Sequence, residues 1–183
     1  MRAWLVLAIA LAATVVACGD DDDDGGASPT PAAGAVVFAS DAFSPGGEIP
    51  LEFSCDGDNV SPPLSWSGLP EGAQSLTLTM DDLDAGGYVH WVMDDIPPGT
   101  MGLAANVPMD ETLADGSTQG VNSGGEVGYA GPCPPSGEHR YRFRLYALDA
   151  EVDLEAGATL ADVEAAIADH VLAQSELVGT FSR

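Results

Sequence analysis

Apolar residues in this chain come in short runs broken by glycine and proline, a rhythm that predicts strands rather than long helices. The runs fall at Val36–Ala39, Ile49–Phe53, Leu76–Asp82, Val89–Asp94 and Arg140–Leu148. Turn signals separate them, among them SPGG at 44–47, SPP at 61–63 and IPPG at 96–99. One helix is expected: Thr159 is placed to cap it, with Asp162 three residues on, and Leu160, Val163, Ile167 and Val171 recur at helical spacing. It should end near His170, leaving Leu177–Phe181 to close the fold as a last strand or short turn. No internal repeat is present.

Alternation along two of these runs points to a site. In Leu76–Asp82 the even positions are Leu76, Leu78, Met80 and then Asp82, so a period of two carries an acid onto the core-facing side, and Asp84 follows in the same parity. In the segment from 139 to 145, His139, Tyr141, Phe143 and Leu145 share one face, while Arg140, Arg142 and Arg144 take the other. Polar side chains at the ends of two core-facing stripes are what the wall of a small binding cavity requires. The stretch MDDLDAGGYVHW at 80–91 adds His90.

Charge narrows the partners. The chain has 183 residues, five arginines, no lysine and 29 acidic residues, a formal net charge of −24. Nucleic acid is excluded as a partner, because its binding rests on basic side chains that displace counterions. An anionic membrane surface repels the domain within a Debye length of about 10 Å.

The N-terminus reads as a targeting segment. Met1–Arg2 leads into an apolar run from Leu5 to Val16, shorter than the roughly 20 residues a membrane span needs. Val15-Val16-Ala17-Cys18 resembles the lipobox of bacterial lipoproteins, which implies a signal peptide over 1–17 and acylation of Cys18. More than one acyl chain is what stable anchoring takes. The expected location is extracytoplasmic, on the cell membrane. Residues 18–35, with five consecutive aspartates at 20–24 and otherwise Gly, Ala, Ser, Pro and Thr, read as a disordered tether. That leaves 36–183 as one folded domain, about 150 residues and large enough for a sizeable core.

Several chemistries can be weighed from the residues. A Ser-His-Asp hydrolase lacks a GxSxG elbow. Asp56-Gly57-Asp58-Asn59 begins like a calcium loop but places Val60 at the next ligand position. Asp82, Asp84, His90 and His139 have ligand types suited to zinc or iron, which keeps a metal-dependent hydrolase as an alternative. Trp66 and Trp91 are expected in the core.

The ordered set Cys55-Asp56-Gly57, Ser61-Pro62-Pro63-Leu64-Ser65-Trp66, Asp82-Leu83-Asp84-Ala85, Val89-His90-Trp91-Val92, Ile96-Pro97, Gly128-Tyr129, Gly131-Pro132-Cys133-Pro134-Pro135 and His139-Arg140-Tyr141 resembles the phosphatidylethanolamine-binding protein family, in its bacterial Raf-kinase-inhibitor-like branch. The resemblance runs from about residue 36 to 183. It implies a mainly β fold, an antiparallel β-sandwich with Greek-key connections plus a C-terminal helix. It also implies a binding module rather than an enzyme, needing no cofactor, whose cavity takes a phosphorylated small molecule or a phospholipid head group.

Carried over by motif, that cavity draws on Asp82, Asp84, His90, His139 and Tyr141, with Gly131 and Pro132 shaping its edge. Two acids in the same pocket should raise the histidine pKa values, making anion binding stronger at mildly acidic pH. Inhibition of an envelope protease through protein contacts is the alternative within binding. The chain departs from the family pattern at Gly86-Gly87, where proline is usual, and at Gly120–Glu126, which lacks a common Asp-Phe-Gly. With Cys18 acylated, Cys55 and Cys133 remain, and the family places both near one end of the sandwich; a disulfide between them is expected, with two buried thiols as the alternative. A redox role is not expected, because no CxxC and no nearby cation in the sequence activates either sulfur.

Overall fold

A computed structural model describes residues 35–152 and 154–183. The expected signal peptide over 1–17, the acylated Cys18 and the tether up to residue 34 lie outside the described residues. Among these, no helix is long and apolar enough to cross a membrane.

The described chain is mainly antiparallel β. A small sheet is ordered β1 (Val37–Ala39), β2 (Leu64–Ser67) and β5 (Gly102–Leu103). A larger sheet runs β6 (Thr118–Gln119), β4 (Tyr88–Ile96), β3 (Ser75–Asp82), β7 (Glu138–Leu148) and β8 (Val171–Ser182). One core joins them: Phe38, Leu64 and Trp66 from the small sheet pack with Leu76, Leu78, Met80, Trp91, Met93 and Phe143 from the large one. Both tryptophans are therefore core residues, as expected. The outer face of the large sheet is covered by α1 (Leu160–Ile167), whose Val163 and Ile167 pack with Val92, Tyr146 and Leu148.

The alternation read from β7 holds. Tyr141, Phe143 and Leu145 are buried in the core, while Arg142 and Arg144 on the opposite face reach Asp81 of β3 at 2.8 and 3.7 Å. On β4 the carboxyl of Asp94 is buried; Thr77 donates a hydrogen bond to Oδ1, but Oδ2 has no hydrogen-bond partner. Burial raises the Asp94 pKa, and the neighbouring Asp95 adds to that.

Four segments differ from expectation. Ile49–Phe53 is not a strand: Leu51–Phe53 forms a 3₁₀ turn in which Phe53 N–H donates to Pro50 O. Its I-P-L-E-F alternation imitates a half-buried strand, but the turn buries Ile49 and Phe53 and exposes Leu51 without a ladder partner. β2 lies directly after SPP, where prolines conceal a four-residue strand with Leu64 and Trp66 turned inward. The helix has the expected capping box of Thr159 and Asp162 but stops at Ile167, so Val171 opens β8 instead of extending the helix. β8 runs from Val171 to Ser182, beyond the predicted Leu177–Phe181. As an edge strand it buries only part of its length, and its first residues show no apolar alternation.

Candidate functional site

Three strand ends converge at one end of the large sheet. Asp82, the last residue of β3, pairs with Tyr88 at the start of β4 and with Tyr141 near the start of β7. The pairing of β3 with β4 runs Met80 to Trp91 and then Asp81 to Val89, so His90 is an extra residue opposite no partner. Such a β-bulge re-aims a side chain. Because of it, His90 and Trp91 are both turned toward the interior side, one into the site and one into the core.

The site is a cavity of about 430 Å³ whose lining includes Asp82, Tyr88, His90 and His139 on the strand side and Asn59 and Gly131 on the loop side. His139 Nδ1 lies 2.7 Å from Asp82 Oδ2, and His90 Nδ1 lies 2.7 Å from the carbonyl oxygen of Ala130. Oxygens of this kind accept, so each Nδ1 carries a proton and each Nε2 is the nitrogen left for a ligand. Beneath both rings lies Tyr141, fully buried, with centroids 5.2 Å from His90 and 6.5 Å from His139. Tyr88 packs against His90 from the outer side at 5.0 Å.

The loop wall is fixed at four points. Tyr129 Oη donates to Phe53 O at 2.7 Å, Gly131 N–H donates to Asn59 Oδ1 at 2.8 Å, and Cys55 N–H donates to Pro132 O at 3.1 Å. The fourth is the disulfide between Cys55 and Cys133, both of which line the cavity. Its pairing was expected. Closing a loop with a sequence separation of 78 stabilises the fold by about 4.5 kcal/mol in the chain-entropy account. Gly131 is required by space: a Cβ there would stand 2.5 Å from the Phe53 carbonyl oxygen.

The structure brings Asp82, His90, Gly131 and His139 together in the cavity wall and places the other expected residues around it. Asp84 turns outward, where Arg140 binds it through both its backbone and its guanidinium at 2.8 to 3.0 Å. Those hydrogen bonds hold its carboxyl down to about 2. Pro132 is buried and contributes its carbonyl to Cys55. Tyr141 is the floor; its buried hydroxyl makes no hydrogen bond, and burial followed by the charge of Asp82 keeps it above the ordinary phenol value.

The expected upward shift of the imidazoles fails at His90. Burial pushes it below the ordinary value, outweighing the Ala130 hydrogen bond and the field of Asp82. The Gly131 amide is also unavailable to a ligand, since Asn59 takes it. Sequence reasoning missed Tyr88 and Asn59. Tyr88 was within reach, lying two residues before His90 on one strand; Asn59 is marked only by its left-handed φ of 56°. Among the described residues no group of three or more His, Cys, Asp or Glu side chains is placed to hold a metal, and Asp84 is turned away from the set weighed for one.

Residues 39–182 match the family model described as phosphatidylethanolamine-binding protein. The chain belongs to the phosphatidylethanolamine-binding protein family. Within the family it is 54% identical over 144 residues to a UPF0098 protein of Methanothermobacter thermautotrophicus, covering 78% of this chain and 95% of that one. A Mycobacterium tuberculosis protein named "Putative lipoprotein LppC" is 46% identical over 158 residues, covering 84% of this chain and 76% of the relative. Among solved structures, Escherichia coli YbcL, described as a new member of the mammalian family, superposes with a TM-score of 0.76 at 30% identity, over 81% of this chain and 98% of that one. The phosphatidylethanolamine-binding protein fold expected from the sequence is thus the fold observed.

Proposed function

We propose that this protein is a lipid-anchored, extracytoplasmic binding module, not an enzyme, whose cavity takes a phosphate-bearing or other anionic head group. The observation that carries the reading is the pair of cavity-lining imidazoles, His90 and His139, each with Nδ1 fixed and Nε2 left to a ligand. Tyr88 on the strand side and the Asn59 amide on the loop side line the cavity as further donors.

The tautomers decide how such a ligand binds. With Nδ1 protonated, a neutral imidazole presents a lone pair at Nε2, which accepts a proton from a P–OH group; a fully ionised phosphate needs Nε2 protonated as well. Binding of a phosphomonoester dianion, which has no P–OH, therefore takes up protons. The resemblance between Val15–Cys18 and a lipobox, together with the lipoprotein named among the relatives, supports the anchored location. The protein's negative charge opposes long-range capture of a free anion, so a head group held in a nearby membrane or a ligand at high local concentration suits it better.

The test is NMR of the three imidazoles during titration with inorganic phosphate and with phosphoethanolamine. His170, on the surface beside Asp149, is the internal control. The expected result is saturable shifts of His90 and His139 alone. No shift, or equal drift of all three rings, overturns the reading; saturable shifts with zinc alone would transfer the site to a metal.

A further inference from the structure

We propose that the Cys55–Cys133 disulfide is a thiol-exchange site, at which a small-molecule thiol attacks Cys55 Sγ, Cys133 departs as a thiolate beside Arg183, and the cavity wall is released. The exchange does not depend on what the cavity binds; its effect on a ligand rests on the function proposed above.

Three observations converge. First, the bond is accessible: Cys133 is exposed, Cys55 is half-buried, and both line the cavity. Exposed disulfides are the labile ones. Second, the two sulfurs are not equivalent. Arg183 Nη1 lies 3.5 Å from Cys133 Sγ, so the structure supplies the cation that the sequence did not reveal. Arg183 is held there from both sides. Its Nη2 donates to Asp56 Oδ1 at 2.7 Å, and its backbone exchanges hydrogen bonds with Gly137 at 2.9 and 3.1 Å. A guanidinium beside one sulfur stabilises negative charge forming on it, and a better leaving thiolate leaves faster. Asp56 offsets part of that charge without displacing the contact.

Third, the bond holds the histidine. Ala130, three residues before Cys133, supplies the carbonyl that fixes His90 Nδ1, while Pro132 and Gly131 are tied to Cys55 and Asn59. Cutting the disulfide leaves this wall on hydrogen bonds alone. The step balances: RS⁻ attacks Cys55 Sγ, the S–S electron pair departs on Cys133, and the products are Cys55–S–S–R and the Cys133 thiolate. The proton lost when RSH ionises goes to solvent. A second thiol then releases RSSR and the Cys55 thiolate, completing a two-electron reduction of the protein.

The experiment uses the full chain carrying Cys18→Ser, so that the two bonded cysteines are the only ones left. It is exposed to limiting 2-mercaptoethanol, a neutral thiol, then quenched with iodoacetamide and mapped by peptide mass spectrometry. The thiol adduct is expected on Cys55 and the alkyl group on Cys133; the reverse assignment overturns the proposal. Arg183→Gln should slow exchange about threefold, as for a tenfold loss of thiolate stability of which roughly half is felt in the transition state. Asp56→Asn should not slow it. If Arg183 only braced the loop, removing it would loosen the bond and speed exchange, so an unchanged or faster Arg183→Gln rate overturns the proposal.

Full reduction should then move the His90 ring resonances with no ligand present, and unmoved resonances refute the coupling to the wall. Phosphate affinity should fall at least threefold on reduction. A protein that exchanges as described yet binds no phosphate in either state would sink the head-group reading and leave the exchange site standing.

Discussion

Replacing Gly131 with alanine puts the loop wall to its most direct test. The added Cβ would meet the Phe53 carbonyl oxygen at 2.5 Å, Asn59 Oδ1 at 2.7 Å and the Ser54 carbonyl carbon at 2.9 Å. Two of these are backbone atoms next to the disulfide, so the 130–133 loop must move. Relief to the 3.4 Å at which ordinary contact begins takes about 0.9 Å, the difference from 2.5 Å. That movement stretches the 2.8 Å bond from Gly131 to Asn59 beyond hydrogen-bonding range and strains its neighbours at Cys55 and His90. Three hydrogen bonds at about 1 kcal/mol each give a cost of about 3 kcal/mol, within the range for overpacking. For a domain of this size that is a fall in Tm of about 6–12 °C.

The assay is thermal unfolding under non-reducing conditions, with Gly137→Ala as control. Gly137 has open space around it and a φ of 76°, so alanine there costs only the left-handed backbone penalty, about 1 kcal/mol. If Gly131→Ala melts within 2 °C of the parent, or no lower than Gly137→Ala, the wall is not packed as described.

Four further outcomes follow from the charges. Phosphoethanolamine affinity should rise as pH falls from 8 toward 5.5, since its phosphomonoester dianion must recruit protons to Nε2, and His90→Ala should flatten that profile in calorimetric titrations. In the free protein the same histidine works the other way: its folded pKa lies below the unfolded 6.5, so its contribution to stability is lost as pH falls below about 6.5, and His90→Ala should lose less between pH 7 and 5 in urea melts. For Asp94 the folded pKa lies above the unfolded 3.8, so ionisation destabilises as pH rises; Asp94→Asn should raise Tm at pH 8 and do less at pH 4. Asp84→Asn should leave phosphate affinity unchanged, because that carboxylate serves Arg140 outside the cavity, and a weakened affinity would contradict the placement.

What the sequence revealed depended on whether local pattern and tertiary pairing agreed. The β7 stripe of Tyr141, Phe143 and Leu145 opposite three arginines was legible because a strand with one buried face must alternate. Asp82 and His139 could be placed on the core side for the same reason, and the structure joins them at 2.7 Å. The capping box was legible because both partners lie within one turn. Other features depend on distant segments. The direction in which Asp84 points is decided by Arg140, 56 residues away. The lowering at His90 arises from burial under a loop that no local pattern encodes. The cation beside Cys133 comes from Arg183, 50 residues later, brought there by the full-length pairing of β7 with β8.

The bulge in β4 separates what this fold is from what its cavity can do. Without His90, Trp91 opposite Met80 and Val89 opposite Asp81 would be consecutive positions of one regular ladder, and the tryptophan would keep its place in the core. Deleting that single residue should therefore erase half of the imidazole pair while leaving the sandwich intact. Inserting a residue at the equivalent point of a regular hairpin is the corresponding route by which a plain structural sheet could acquire a cavity-facing imidazole, so that side chain is a unit of one residue that can be gained or lost independently of the architecture.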